Sequence, residues 1–380
     1  MKIMHICLAS HYTEGMTYQD NQLSDQNSRD GHEVVVISDC YSFEGAEIKE
    51  RPEEDRLLAS GVRLVRFKYD RIINKIISSK IRKVKKLYPF IVNFKPDVIL
   101  FHGVAGWEML TVAKYKKKYP KTKLYIDSHE DIHNSGTFWI SMFFQYKLFN
   151  KLIVKCINKY VDKFLYLSHE SKFFLTRIYG LCEDKMEFYP LGGNVVSNDY
   201  KNIHSLNIRN KHNLKNDDVL VIHSGKLDAK KRTQELLNAF YAIKNKKLKL
   251  FIIGSIPDDM KTVLLPLIDR DDRVFFIGWK SGAELIQYLC AADLYFQPGT
   301  QSATMQNAIC CGSPVTLFPY TSHQPYIKGN GFFVQSEADF IEVFDKIGGN
   351  PKLINEMKQN SLKVARELLD YKQLAARLYK

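Results

Sequence analysis

Residues 121–136 read KTKLYIDSHEDIHNSG, and their reading decides the fold. His129-Glu130-Asp131-Ile132-His133 spells H-E-x-x-H, the signature of zinc peptidases. That chemistry needs a helix, because the two His must stand one turn apart on one face with the Glu beside them. The surrounding text gives no such helix. Before the motif, Lys-rich punctuation leads into a short apolar run that reads as a buried strand ending near Ile126. After it, Asn134, Ser135 and Gly136 are turn residues. The spelling is therefore accidental, and no metal site is expected. His129 instead falls just past the carboxyl end of a strand, where open α/β sheets bind ligands.

The same rhythm runs outward from this strand. KIMHICL (2–8), EVVVIS (33–38), VRLVRFK (62–68), VILFH (98–102) and KFLYLS (163–168) read as further strands. YQDNQLSDQNSRDGH (18–32) has helical spacing and stops at Gly31, and 107–120 reads as a helix ending at Pro120. Residues 195–217 turn polar and read as a linker. Alternation then resumes with strands at 219–225, 248–254, 273–278, 293–299 and 314–318, helices between them, and a long helical stretch over 351–380. Such alternation predicts parallel sheets covered by helices on both faces. The expected organisation is a Rossmann-like domain over 1–195, a linker over 196–217, a second Rossmann-like domain over 218–362, and a C-terminal helix over 363–380.

Bulk properties narrow the function. At 380 residues, 45% hydrophobic and 26% charged, the chain can build large cores without disulfides. Its seven Cys show no metal spacing and read as buried thiols of a reducing cytosol. The opening residues read as a first strand, and no apolar run is long enough to span a bilayer. A net charge of +13 calls for an anionic partner. No nucleic-acid-binding motif is present, and neither is the G-x-G-x-x-G of a NAD-binding domain.

Two longer motifs identify a resemblance. HSGKLDAKKRTQELLNAF (223–240) places Gly225-Lys226 at a strand end and Lys231 shortly before a helix. FQPGTQSATMQNAICCGSPVTL (296–317) places Gly299, Thr300, Gln301, Ser302 and Ala303 in a small-residue turn before a second helix. With two Rossmann-like halves and a C-terminal helix, these resemble the GT-B glycosyltransferases, specifically family 4, the retaining nucleotide-sugar enzymes. The resemblance covers the whole chain. It implies two doubly wound domains facing a cleft, with the C-terminal helix packing back on the first. Gly225, Lys226 and Lys231 match the diphosphate-binding Gly-Arg and Lys of the family, with Lys226 in place of Arg. A Gly turn and two cations suit a diphosphate. The family's two Glu are absent: Gln301 is the nearest stand-in for the first, and Asn307, five residues before Gly312, occupies the ribose-binding place of the second. Asn can still hydrogen-bond a hydroxyl. His129 matches a His near the reacting sugar. Gly15, Met16 and Thr17, with His102, Asp127 and Glu130, fall where the family contacts its acceptor.

The resemblance implies sugar transfer from a nucleoside diphosphate, UDP or GDP, with no other cofactor and no metal. The acceptor is expected to be a glycan or lipid-linked glycan, made at the cytoplasmic side of a membrane. Residues 71–88 align Ile73, Ile76, Ile77, Ile81, Val84 and Leu87 on one helical stripe beside a basic surface of Lys80, Arg82, Lys83, Lys85 and Lys86. Such a helix suits an anionic lipid surface or, equally, a core-facing stripe with a solvated basic side. FWISMFFQYKLF (138–149) reads as a core helix, with a lipid-lined groove as the other option. The competing function is a non-catalytic GT-B protein that supports a partner enzyme, with Gln301 and Asn307 marking a decayed donor site.

Overall fold

The structure, a computed structural model, describes residues 1–44, 47–130, 139 and 141–379. The chain forms two compact units, Met1–Pro190 with Tyr371–Lys380, and Leu191–Asp370.

In the first unit the strands are β1 Lys2–Cys7, β2 Glu33–Asp39, β3 Tyr41–Glu44, β4 Glu47–Glu50, β5 Glu54–Leu57, β6 Arg63–Phe67, β7 Val98–His102, β8 Lys123–Ser128, β9 Lys163–Tyr166 and β10 Met186–Phe188. Eight of them form one sheet in the order β10-β9-β8-β7-β1-β2-β6-β5, parallel except for β5. β3 and β4 make a separate hairpin. The central strands are apolar at nearly every position because helices cover both faces. Successive side chains divide between two cores: Met4, Ile6, Val35, Ile37, Ile99 and Phe101 enter one, and Ile3, Cys7, Val34, Val36, Val98 and Leu100 the other.

The second core is completed by the end of the chain, through Tyr371, Leu374, Ala375 and Leu378. The Tyr189 hydroxyl donates to the Leu374 carbonyl at 2.6 Å, and Arg377 donates to the Phe188 carbonyl at 2.6 Å and pairs with Glu187. The expected helix over 351–380 is not continuous. It breaks at Asp370, whose extended backbone pairs with Gly193, and the chain re-enters the first unit at Tyr371.

The second unit holds β11 Val219–Lys226, β12 Leu248–Ser255, β13 Val274–Gly278, β14 Leu294–Gln297, β15 Val315–Leu317 and β16 Gly331–Phe333. Its sheet is parallel throughout, in the order β13-β12-β11-β14-β15-β16. Both sheets reverse their strand order once, between β1 and β7 and between β11 and β14. At such a switch point two loops leave the sheet in opposite directions and open a crevice at the carboxyl ends.

Further expectations are corrected. Residues 196–217 are not a linker: Asn198–Lys211 is a helix of the second unit, capped by Ser197, whose hydroxyl accepts from Tyr200 N–H at 3.2 Å. Only Ile208 of this helix is buried, so its sequence carries almost no periodic signal. Residues 71–88 are not one amphipathic helix. Lys75–Ile81 ends at Arg82 in the left-handed conformation, and a new helix begins at Leu87. Val84 and Leu87 enter the core while Ile73 and Ile76 are exposed. Residues 141–149 are core on one side only: Met142, Tyr146 and Phe149 pack inward, and Phe143, Phe144 and Leu148 are exposed. Of the seven Cys, Cys156 and Cys182 are exposed and the other five buried. Among the described residues no helix is long and apolar enough to cross a membrane.

Candidate functional site

The switch point of the second unit lies where β11 and β14 end. Gly225 leaves β11 with φ +140°, and the chain turns through Ala229–Lys231 into the helix Thr233–Ala242. From β14 comes the turn that begins at Gly299. The two turns are in backbone contact: Thr300 N–H donates to the Lys230 carbonyl at 3.1 Å. A Cβ on residue 299 would stand 2.1 Å from that carbonyl oxygen, so only glycine fits.

Lys231 crosses this junction. Its side chain passes Gly225, where an added Cβ would lie 3.3 Å from Lys231 Cε. Its ammonium donates to the carbonyls of Thr300 at 3.1 Å and Gln301 at 3.4 Å. The residue is only 9% exposed, and burial lowers its pKa, partly offset by Asp228. A buried ammonium whose hydrogen bonds go to neutral carbonyls is in an environment that favours an added anion. Lys226 stands exposed at the end of β11. Gln301 and Ala303 are exposed and Ser302 is half-buried. The Ser302 hydroxyl accepts from Thr304 N–H at 3.3 Å, so this side chain already satisfies one N–H of the short helix Thr304–Cys310. Asn307 is half-buried on that helix, its Oδ1 3.6 Å from where a Gly193 Cβ would lie.

The first unit presents a different group at its carboxyl edge. His102 ends β7 and Asp127 lies near the end of β8, paired across the ladder. Asp127 is fully buried. Its Oδ2 lies 2.6 Å from His102 Nδ1, and its Oδ1 accepts from Gly103 N–H at 2.8 Å and lies 3.5 Å from His129 Nε2. The other nitrogen of His102 meets His5 Nδ1 at 3.1 Å, and His5 Nε2 meets Asn27 Oδ1 at 2.9 Å. Burial, then His102, push His5 down to about 3, so it is neutral. Burial opposes ionisation of Asp127, but His102 and His129 outweigh it and hold the carboxyl well below its usual range. Desolvation opposes charge on His129 too, yet Asp127 and then Glu130 raise it to about 9. His129, with a side chain 46% exposed, is thus a solvent-facing imidazolium on a buried carboxylate.

This geometry revises three expected acceptor contacts. His102 has both nitrogens engaged inside the protein. Asp127 has both oxygens engaged. Glu130 is buried and accepts from Val104 N–H at 2.9 Å and the Ser128 hydroxyl at 2.7 Å, tying together the loops after β7 and β8. All three support His129 and its loop from below. His133, the other His of H-E-x-x-H, lies outside the described residues. Among the described residues, His102, Asp127 and His129 bring ligand-type atoms within 4.8 Å of one another, with His102 Nδ1 on the side of Asp127 and His102 Nε2 on that of His5.

Gly15 and Thr17 are exposed and Met16 half-buried, in the loop after β1 as expected. Sequence reading missed the group beneath that loop. His11 Nδ1 lies 2.6 Å from Asp39 Oδ2, the Tyr69 hydroxyl lies 2.6 Å from the same oxygen, and buried Arg66 donates to the Tyr12 carbonyl at 2.9 Å. Asp39, a buried carboxylate at the end of the strand EVVVISD, was the available signal.

Comparison with known proteins agrees with this architecture. Residues 205–364 match the family model described as glycosyl transferases group 1. No curated protein matches the chain in sequence. Among solved structures, Anabaena HepE in complex with UDP superposes with a TM-score of 0.67 at 15% identity, over 99% of this chain and 98% of that one. A glycosyltransferase from Rickettsia africae gives 0.68 at 13% identity, over 99% and 96%. Sucrose-phosphate synthase from Thermosynechococcus elongatus gives 0.65 at 16%, again over 99% and 96%. The fold is GT-B, two Rossmann-like units with the C-terminal segment returned to the first. The matched residues 205–364 lie within the second unit.

Proposed function

We propose that this protein is a retaining glycosyltransferase that moves a sugar from a nucleoside diphosphate to an acceptor hydroxyl. The observation that carries the reading is Lys231, a nearly buried cation at the β11/β14 switch point, held by two carbonyls beside a turn that only glycine fits. A diphosphate would give that ammonium an anionic hydrogen-bond partner in place of neutral carbonyls, and exposed Lys226 would add a second cation. Neutralisation by these lysines makes a metal unnecessary for leaving-group departure, and the departing diphosphate can take the acceptor's proton. His129 donates as an imidazolium, to a sugar or acceptor hydroxyl or to developing negative charge. The loop at Gly15, Met16 and Thr17 borders the acceptor. HepE was solved with UDP, which makes UDP the first base to test and GDP the second. The acceptor is a glycan or lipid-linked glycan of the cell surface, met at the cytoplasmic face of a membrane.

The second reading, a non-catalytic GT-B partner, rests on Gln301 and Asn307, which leave both family carboxylate positions uncharged. Calorimetry against UDP, GDP, ADP and their sugars decides between the two. The expected result is binding of one nucleotide, weakened about 10- to 100-fold in Lys231→Ala, the worth of a hydrogen bond to a charged group. A folded protein that binds none of them is the non-catalytic partner.

A further inference from the structure

We infer that the bare side of the 139–155 segment in the first unit is a docking surface for an anionic bilayer. The segment is two-sided. Met142, Tyr146, Phe149, Ile153 and Val154 pack against the core. Trp139, Phe143, Phe144, Leu148 and Leu152 are left 45–76% exposed. Water-exposed aromatics gathered on one element mark an interaction surface, whereas scattered ones need no explanation.

The backbone assists this display. Ser141–Asn150 bonds i→i+5, a form that is rare and concentrated at functional sites. In that wider turn, residues four and five apart share a side, and Phe143, Phe144 and Leu148 recur at that interval, with Leu152 following in the α-helix Lys151–Ile157.

Charge decides the occupant. Lys147, Lys151, Lys155 and Lys159 interleave with the apolar residues, and no Asp or Glu occurs from 139 to 159. A second copy of this chain would bring lysines against lysines. An acidic protein would satisfy the lysines without accounting for the aromatic residues. An anionic lipid surface satisfies both, since aromatics and leucines enter the acyl boundary while lysines extend to the headgroups. Topology adds a second patch. Residues 141–155 lie in the connection that leaves the carboxyl end of β8, and exposed Ile72, Ile73 and Ile76, with Arg71 and Lys75, follow that of β6. These strands run parallel in one sheet, so both connections set out from the carboxyl edge that also carries His129. The inference deepens the reading of this unit as the acceptor side and rests on it for its purpose, but lipid binding is measured without donor or acceptor.

The test is co-sedimentation of the full chain with phosphatidylcholine vesicles, with and without phosphatidylglycerol, at physiological salt. The expected result is binding that requires phosphatidylglycerol and falls about tenfold or more in Phe144→Ser/Leu148→Ser. In a Trp107→Phe/Trp279→Phe background, Trp139 emission shifts to the blue on binding. Both substituted side chains are exposed, and unchanged nucleotide calorimetry in the double variant confirms its fold. Circular dichroism gives the same check if the wild type binds no nucleotide. Vesicle binding in a chain that binds no nucleotide leaves this inference standing and removes the donor reading. Absence of vesicle binding overturns the inference. So does binding that the double variant retains, or a lipid-free dimer that the double variant splits.

Discussion

At the scale of single residues the structure places two cations in opposite ways. Lys231 is buried and partnered by neutral carbonyls; His129 is exposed and stands on a buried carboxylate. Asp127→Asn removes the charge that keeps His129 protonated. The pKa of His129 then falls from about 9 toward its ordinary 6.5, and the alkaline limb of the transfer rate against pH moves down with it. A limb that stays in place removes His129 from the mechanism. The same pair shapes stability. The raised His129 stabilises the fold fully below 6.5, and its contribution is lost as pH rises through about 9. Asp127, depressed, contributes above 3.8 and ceases to as pH falls. Gly299→Ala is the steric counterpart. Its methyl meets the Lys230 carbonyl, so the two turns must separate, at about 1–3 kcal/mol of stability and with loss of nucleotide binding. A variant with wild-type melting and affinity would show that the turns do not depend on this contact.

At the scale of elements, the helix Asn198–Lys211 separates sequence from structure most clearly. Its residues are polar enough to read as a tether, yet Arg209 donates to the Asp218 carbonyl at 2.5 Å and pairs with Asp293 at 3.4 Å. Ser197→Ala should cost about 1 kcal/mol, measured by urea unfolding. A true linker would show no change. The strands were legible in the sequence because a covered parallel sheet writes continuous apolar runs. The break at Arg82 was not, since 71–88 keeps its periodicity through a residue that turns left-handed.

At the scale of the whole molecule, the chain crosses between its units twice, near Pro190 and Asp370. The first unit is therefore closed by residues from both ends of the sequence. Deleting 371–380 uncovers one of its two cores at Leu374, Ala375 and Leu378 and removes the Arg377–Glu187 pair. Limited proteolysis should then degrade residues 1–190 while 191–370 persist. Equal survival of both fragments would mean that the C-terminal segment adds little to the first unit.

The sequence by itself determined the parallel sheets, their two-unit repetition and the residues at the strand ends, including Lys231, Gly299 and His129. Apolar periodicity and glycine turns are local properties, written over a few neighbouring positions. Only the tertiary structure decided what surrounds those residues. His129 is held charged by Asp127, which is fixed in turn by His102 and His5, residues that are distant in sequence and meet where β1, β7 and β8 lie side by side. Lys231 becomes a buried cation because a turn 68 residues later closes over it at Gly299. Which side of the 139–155 segment stays bare was likewise set by packing. Burial and ion pairing depend on what the fold brings near, and no short window of sequence contains that.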